Sequence, residues 1–123
     1  MLKACGKYID GVVAINTIPM HIVDSKEKQA LPGGETSGTC GNAIIDLSVE
    51  AVSSLVEARK SLGKEYKNIK IIGCGGVTNA ESFMRHIDAG AEFVMCATAA
   101  LFNPKLPLLI AKYIKKNKIK RKI

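Results

Sequence analysis

Three short segments of the chain are apolar at nearly every position. They are residues 11–15 (GVVAI), 69–73 (IKIIG) and 92–96 (EFVMC), and turn-forming residues lie close to each of them. Continuous apolar runs of this length are typical of strands that are covered on both faces, as in parallel sheets. The pattern therefore predicts three buried strands without a solvent-exposed face.

A segment with helical spacing of its apolar residues lies between the first and second of these runs. Apolar residues then recur at nearly every third or fourth position: Val49, Val52, Leu55, Val56 and Leu62. Asp46 or Ser48 is the candidate N-cap of this helix, and Gly63 is its expected end. Residues 20–41 contain many turn formers and little periodicity, so we expect a long loop there.

Two further helices are expected after the second and third runs. Thr78 or Asn79 is the candidate N-cap of the first of them, and residues 89–90 close it. Pro104 or Pro107 is expected to open the last helix. Strands that alternate with helices pair in parallel through right-handed crossovers. Three such strands form either about three-eighths of a TIM (β/α)₈ barrel or a small open α/β sheet.

The positive charge is concentrated at the carboxyl end of the chain. The 123 residues carry a formal net charge of +7, and six Lys or Arg residues among the last nine carry +6 of it. We therefore predict one domain over residues 1–114 and a basic tail over residues 115–123. Only Tyr113 supplies an aromatic ring near this tail, so nucleic acid is not the expected partner.

Cysteine and histidine usage argues against a structural metal site. The four cysteines form no CxxC pair, and the chain has only two histidines. Cys74 and Cys96 lie in apolar surroundings, and we expect them to be small buried residues. No apolar run reaches the roughly 18–20 residues of a membrane helix, and the first residues do not resemble a signal peptide. The prediction is a cytoplasmic protein without a membrane partner.

The second apolar run ends with very few side chains. The segment IIGCGGVTN places Gly73, Gly75 and Gly76 directly before a helix start. Backbone without Cβ atoms lets an anion approach closely, and a helix N-terminus adds positive potential. Residues 94–100 (VMCATAA) follow the third run in a similar way. Two such loops at neighbouring strand ends predict a phosphate site, whereas Thr78 breaks the GxGxxG dinucleotide pattern.

Together these segments resemble the C-terminal part of the dihydroorotate dehydrogenases, which are flavin-dependent (β/α)₈ enzymes of pyrimidine synthesis. Residues 11–18 (GVVAINTI) are similar to the sixth barrel strand, and residues 37–48 (SGTCGNAIIDLS) to the loop and helix after it. Residues 70–77 (KIIGCGGV) and 89–99 (AGAEFVMCATA) are similar to the seventh and eighth strands. The related dihydropyrimidine dehydrogenase barrel is also similar. The resemblance implies FMN as cofactor and a pyrimidine, such as dihydroorotate, as substrate.

The resemblance also implies roles for particular residues. Asn16 and Thr17 would bind the pyrimidine, and an amide side chain suits an imide edge because it offers both a donor and an acceptor. Ile15 would line the flavin site, and Gly41 would bring its backbone close to the flavin. The residues implied to hold the FMN phosphate are Gly75, Gly76, Ala97 and Thr98.

Several residues depart from the family pattern. Cys40 stands where the family loop has a serine, and Ser37 and Gly38 stand where it has two glycines. Ala97 stands where glycine or another residue is usual. The family's catalytic base and flavin-binding lysines come from earlier strands without a counterpart here, so we assign no catalytic residue. Cys40 occupies a loop-contact position and is not expected to replace that base. We predict an oxidoreductase fragment that is inactive alone and is completed by a missing N-terminal half or by a second copy.

Two alternative functions stay open at this point. A tRNA-dihydrouridine synthase-like flavin barrel would suit residues 94–95, residues 103–104 and the basic tail, although an arginine is expected there near Thr98. A half-barrel that binds a phosphate ligand without catalysis is the non-enzymatic alternative.

Overall fold

A computed structural model describes residues 1–33 and 36–117 of the chain. Its helices and strands follow in this order: α1 (Leu2–Cys5), β1 (Gly11–Ala14), β2 (Ile18–His21), β3 (Thr36–Thr39), α2 (Ile45–Leu62), β4 (Lys70–Cys74), α3 (Ala80–Asp88), β5 (Phe93–Met95), α4 (Thr98–Phe102) and α5 (Leu106–Lys116). Short 3₁₀ turns cover Gly6–Tyr8, Gly41–Ile44 and Lys64–Tyr66. Within the described part of the chain, no helix is long and apolar enough to cross a membrane.

The three apolar runs form one parallel sheet in the order β1-β4-β5. In its register, Val13 lies beside Ile72, and Ile72 beside Phe93. The prediction of an α/β fold with parallel strands is therefore confirmed. Helix α2 packs against β4 and β1, and α3 packs against β5. The core cluster comprises Leu2, Ala14, Val52, Val56, Ile69, Ile71 and Ala91.

The other face of the sheet is exposed, so the prediction of strands without an exposed face was wrong. The exposed fractions of Val13, Phe93 and Met95 are 51%, 53% and 52%. Because successive residues of a strand point to opposite faces, these side chains lie opposite the buried Ala14 and Ile71. The apolar runs indicate a face that must be covered, while the helices of the described residues cover only one side.

An antiparallel hairpin replaces part of the predicted long loop. Strands β2 and β3 pair from Ile18 with Thr39 to His21 with Thr36. The prediction of a loop over residues 20–41 was therefore wrong at both of its ends. Strand β3 has the sequence TSGT and contains no large apolar residue. Apolar periodicity could not reveal it, because its pairing depends on residues 15 to 21 positions away along the chain.

The caps of two helices differ in how well the sequence predicted them. Helix α2 begins at Ile45 without a side-chain cap, so neither Asp46 nor Ser48 caps it. Asp46 instead pairs with Arg85 of α3, and the Ser48 hydroxyl donates to the Cys74 oxygen of β4. Asn79 caps α3 as predicted, in a capping box with Ser82. The Asn79 Oδ1 atom accepts the Ser82 N–H at 2.8 Å.

The structure shows which of the two predicted prolines, Pro104 or Pro107, opens the last helix. Pro107 lies in the first turn of α5, which begins at Leu106. Because α5 continues to Lys116, the predicted domain boundary after residue 114 falls within its last turn. The rest of the predicted basic tail, from residue 118 onward, lies outside the described residues.

Candidate functional site

An open cavity of about 540 Å³ lies at the carboxyl ends of the three parallel strands. Ends of parallel strands meet at one edge of a sheet, where the following loops form a crevice that commonly binds ligands. All eight residues assigned to a ligand by resemblance line this one cavity: Ile15, Asn16, Thr17, Gly41, Gly75, Gly76, Ala97 and Thr98. The structure therefore brings them together, while their individual roles stay predictions.

Positions 75 and 76 require glycine because both lie close against the start of α2. Their φ angles are +116° and +74°, a region that side chains disfavour. A Cβ added at Gly76 would lie 2.5 Å from Cβ and 2.6 Å from Cα of Ile45. A Cβ added at Gly75 would lie 3.1 Å from Cδ1 of Ile44. The missing side chains thus make room for the start of α2. This packing requirement stands beside the predicted reason for the glycines, which is close approach of an anion.

Two buried side chains hold the carbonyl groups of this glycine loop (residues 74–76). The Ser48 hydroxyl of α2 donates to the Cys74 oxygen at 2.7 Å. The His86 Nε2 atom of α3 lies 2.9 Å from the Gly75 oxygen. In a trans peptide the C=O and the following N–H point in opposite directions. The N–H groups of Gly75 and Gly76 therefore point away from these two side chains.

These two N–H groups belong to residues that line the cavity. Outside the ladder of the parallel sheet, no hydrogen bond of the described residues uses the Gly75 or the Gly76 amide. Unpaired amides of successive residues form a concave site that suits an anion such as a phosphate. The sequence indicated the glycines but not the contacts of Ser48 on α2 and His86 on α3 with this loop.

The loop after β5 contributes a hydroxyl group to the same cavity. Thr98 begins α4, a short helix that the sequence analysis did not predict, and Ala97 precedes it as an exposed residue. The Thr98 Oγ1 and Cys40 Sγ atoms lie 3.4 Å apart, and either can donate. This contact joins the loop after β3 to the loop after β5. Cys40, which departs from the family pattern, is thus positioned beside the predicted phosphate residues.

The end of β1 presents the predicted substrate residues. Asn16 and Thr17 are both exposed, and the Asn16 Oδ1 atom accepts the Thr17 N–H at 2.8 Å. The preceding peptide between Ala14 and Ile15 is cis. Gly38 of β3 lies directly against Thr17, since an added Cβ would lie 2.8 Å from its Oγ1 atom. The hairpin therefore holds Thr17 at one side of the cavity.

Cysteines are the titratable side chains that line the cavity among the described residues: Cys40, Cys74 and Cys96. Cys74 and Cys96 are half-buried rather than buried as predicted, because both face the open cavity. Burial and the neighbouring Cys96 raise the pKa of the Cys74 thiol. A thiol with a raised pKa stays protonated and is a poor nucleophile at neutral pH. Within the described part of the chain, no three metal-ligating side chains are grouped to hold an ion.

Parallel strands with a lined cavity at their carboxyl ends define the chain as an α/β protein with an open crevice at one edge of its sheet. The family described as "Dihydroorotate dehydrogenase" matches residues 1–120. The catalytic subunit of dihydroorotate dehydrogenase B (NAD(+)) from Thermodesulfovibrio yellowstonii is 33% identical over 93% of this chain, and that from Staphylococcus carnosus is 34% identical over 85%. The putative dihydroorotate dehydrogenase A (fumarate) of Aquifex aeolicus is 33% identical over 82%. The chain belongs to the dihydroorotate dehydrogenase family, as its sequence motifs predicted.

The chain is much shorter than these relatives. It covers 35% of the Thermodesulfovibrio yellowstonii protein, 32% of the Staphylococcus carnosus protein and 31% of the Aquifex aeolicus protein. It therefore spans about a third of the length of the curated relatives that it matches.

Proposed function

We propose that the chain forms the cofactor-phosphate part of an FMN-dependent dihydroorotate dehydrogenase barrel, equivalent to about strands six to eight. One observation carries the proposal: the residues assigned to the cofactor and substrate all line one cavity at the strand ends. When bound, FMN would supply the hydride acceptor for oxidation of dihydroorotate to orotate. Family membership favours this function over the tRNA-dihydrouridine synthase-like alternative.

The residues of the cavity suit the two ends of the cofactor. The amides of Gly75 and Gly76 and the Thr98 hydroxyl would donate hydrogen bonds to the FMN phosphate, with Ala97 beside them. Ile15 would contact the flavin as an apolar residue. Gly41 would allow close approach, since no atom lies within 4 Å of the position of an added Cβ.

The substrate would bind at the end of β1. Asn16 and Thr17 are exposed there, and their side chains can hydrogen-bond the imide edge of a pyrimidine. No histidine, lysine or carboxylate of the described residues lines the cavity. We propose, as the family resemblance implies, that the base for removing a substrate proton comes from outside this part of the sheet. We propose that the chain alone binds FMN without oxidising dihydroorotate.

The exposed sheet face supports the proposed need for completion. In a (β/α)₈ barrel the inner faces of the strands pack together as layers of branched side chains. Here Val13, Phe93 and Met95 would belong to such a layer, yet each is about half exposed. A missing N-terminal half, or a second copy of the chain, would cover them. The cytoplasmic location stays a prediction.

A comparison of FMN with riboflavin tests the proposed cofactor site. The two flavins share the ring system and differ in the phosphate, so the difference in their affinities reports the phosphate contacts. We expect FMN to bind at least about tenfold more tightly, because hydrogen bonds to a charged group contribute roughly 1.5–3 kcal/mol each. Flavin fluorescence during titration of the purified chain measures both dissociation constants. Equal affinities, or no binding by a chain that circular dichroism shows to be folded, would refute the proposal.

Replacing Thr98 with valine is the matching test within the chain. Valine keeps the shape of threonine but removes the hydroxyl, so the FMN dissociation constant should rise about tenfold while riboflavin binding is unchanged. Thr78→Val is the control, because Thr78 also lines the cavity but is assigned no phosphate contact. An unchanged FMN affinity in Thr98→Val would remove Thr98 from the phosphate site.

A further inference from the structure

His86 is a polar side chain in the core, directly beneath the glycine loop. Its exposed fraction is 0%, and it lies on the side of α3 that faces β4. Gly73 makes room for it, since a Cβ there would lie 2.5 Å from the His86 Nδ1 atom. An apolar side chain of similar size would fill this space without a buried polar atom. Packing alone therefore does not explain why a histidine occupies this position.

The contacts of His86 define its tautomer. Its Nε2 atom lies 2.9 Å from the Gly75 carbonyl oxygen, and because a carbonyl only accepts, Nε2 carries the hydrogen. The Nδ1 atom is buried and has no hydrogen-bond partner among the described residues. Burial lowers the pKa of His86, opposed by the Gly75 hydrogen bond and assisted by the neighbouring Arg85. The ring is therefore neutral at pH 7 and acts as a single donor.

That donor acts at the peptide between two glycines. Gly75 and Gly76 are consecutive glycines with positive φ angles, and glycine changes backbone conformation at little steric cost. If the peptide between them turned over, the Gly75 carbonyl would face the cavity and repel an anion. The hydrogen bond from His86 opposes this rotation. Ser48 donates to the preceding peptide at the Cys74 oxygen, which also accepts the Ile15 N–H at 2.7 Å.

We propose that His86 is a positioning residue of the phosphate site. Its Nε2–H holds the Gly75 carbonyl toward α3 and thereby presents the Gly76 N–H to the cavity. The inference deepens the proposed FMN function and rests on it. His86 itself would not touch the cofactor, because the peptide between Gly75 and Gly76 would lie between its ring and the phosphate.

Two substitutions separate the hydrogen bond from packing. His86→Gln keeps an N–H donor at about the reach of Nε2, and His86→Met keeps a similar volume without a donor. We expect His86→Met to raise the FMN dissociation constant about tenfold and His86→Gln to stay within about threefold of the native chain. Riboflavin affinity should be the same in all three. Equal FMN affinity in the Met and Gln variants would overturn the inference.

An NMR measurement on the native chain tests His86 without FMN. The imidazole nitrogen shifts at pH 7 should show a neutral ring with hydrogen on Nε2, and the opposite tautomer would overturn the inference. In His86→Met, the Gly76 amide signal should broaden or divide because the peptide samples both orientations. An unchanged, sharp signal would also overturn it. If the native chain shows the expected tautomer but binds no FMN, the proposed function fails while the positioning of the loop by His86 stands.

Discussion

Replacing Gly76 with alanine is expected to lower the free energy of unfolding by about 3 kcal/mol. The left-handed conformation at φ +74° costs a residue with a side chain roughly 1–2 kcal/mol. The added methyl group would also lie 2.5 Å from Cβ and 2.6 Å from Cα of Ile45. Overpacking in a well-packed core costs roughly 1–3 kcal/mol, and a helix backbone cannot move aside as a flexible side chain can.

Gly41→Ala is the matched control for this prediction. Gly41 has nearly the same φ angle, +75°, but nothing lies within 4 Å of the added Cβ. Gly41→Ala should therefore lower the free energy of unfolding by about 1 kcal/mol, the cost of the left-handed backbone conformation alone. Urea unfolding measures both variants, and equal losses would contradict the role of the Ile45 contact. Because Gly76→Ala is expected to destabilise the fold, loss of FMN binding in this variant would not report the phosphate contacts alone, and Thr98→Val is the cleaner test.

The parallel sheet and its main helices could be predicted because their signals are local. A run such as residues 69–73 is apolar at successive positions, and α2 and α3 show helical spacing. Strand β3 and helix α4 lacked such signals. The first has no large apolar residue, and the second is only five residues long. The exposed sheet face was missed because a sequence shows that a face is apolar, not what covers it.

The location of the candidate site could be predicted, but the side chains that hold its glycine loop could not. Resemblance and the rule for parallel strand ends placed all eight assigned residues at one cavity. Ser48 and His86 were missed because each acts on a loop at a distance of 11 residues or more along the chain. A signal for His86 existed: it follows the capping-box residue Ser82 by one helical turn, on the side of α3 that is buried. Polar residues at buried helical positions are therefore worth testing as partners of nearby loops.

Removing the carboxylate of Glu92 is expected to lower the free energy of unfolding by about 2 kcal/mol. Its Oε1 atom lies 2.6 Å from Nη1 of Arg59, which also donates to the Ile69 oxygen at 2.6 Å. Its Oε2 atom accepts the Ile71 N–H at 2.7 Å. Glu92→Ala would leave the mostly buried arginine and a backbone N–H without their partner. The cost of such unpaired groups exceeds the gain from an ordinary surface ion pair.

Glu57→Ala provides the control for Glu92→Ala, since both remove a glutamate paired with a basic residue. The Glu57–Lys60 pair spans 3.4 Å, and its side chains are 76% and 68% exposed. Its loss should change the free energy of unfolding by less than about 0.5 kcal/mol in the same urea titration.

Glu92 precedes β5 at the amino ends of the strands, opposite the cavity, so folded Glu92→Ala should keep the FMN affinity of the native chain. Equal stability losses in the two variants would mean that partial burial adds nothing to this ion pair. A lower FMN affinity in folded Glu92→Ala would mean that both ends of the sheet act together in forming the site.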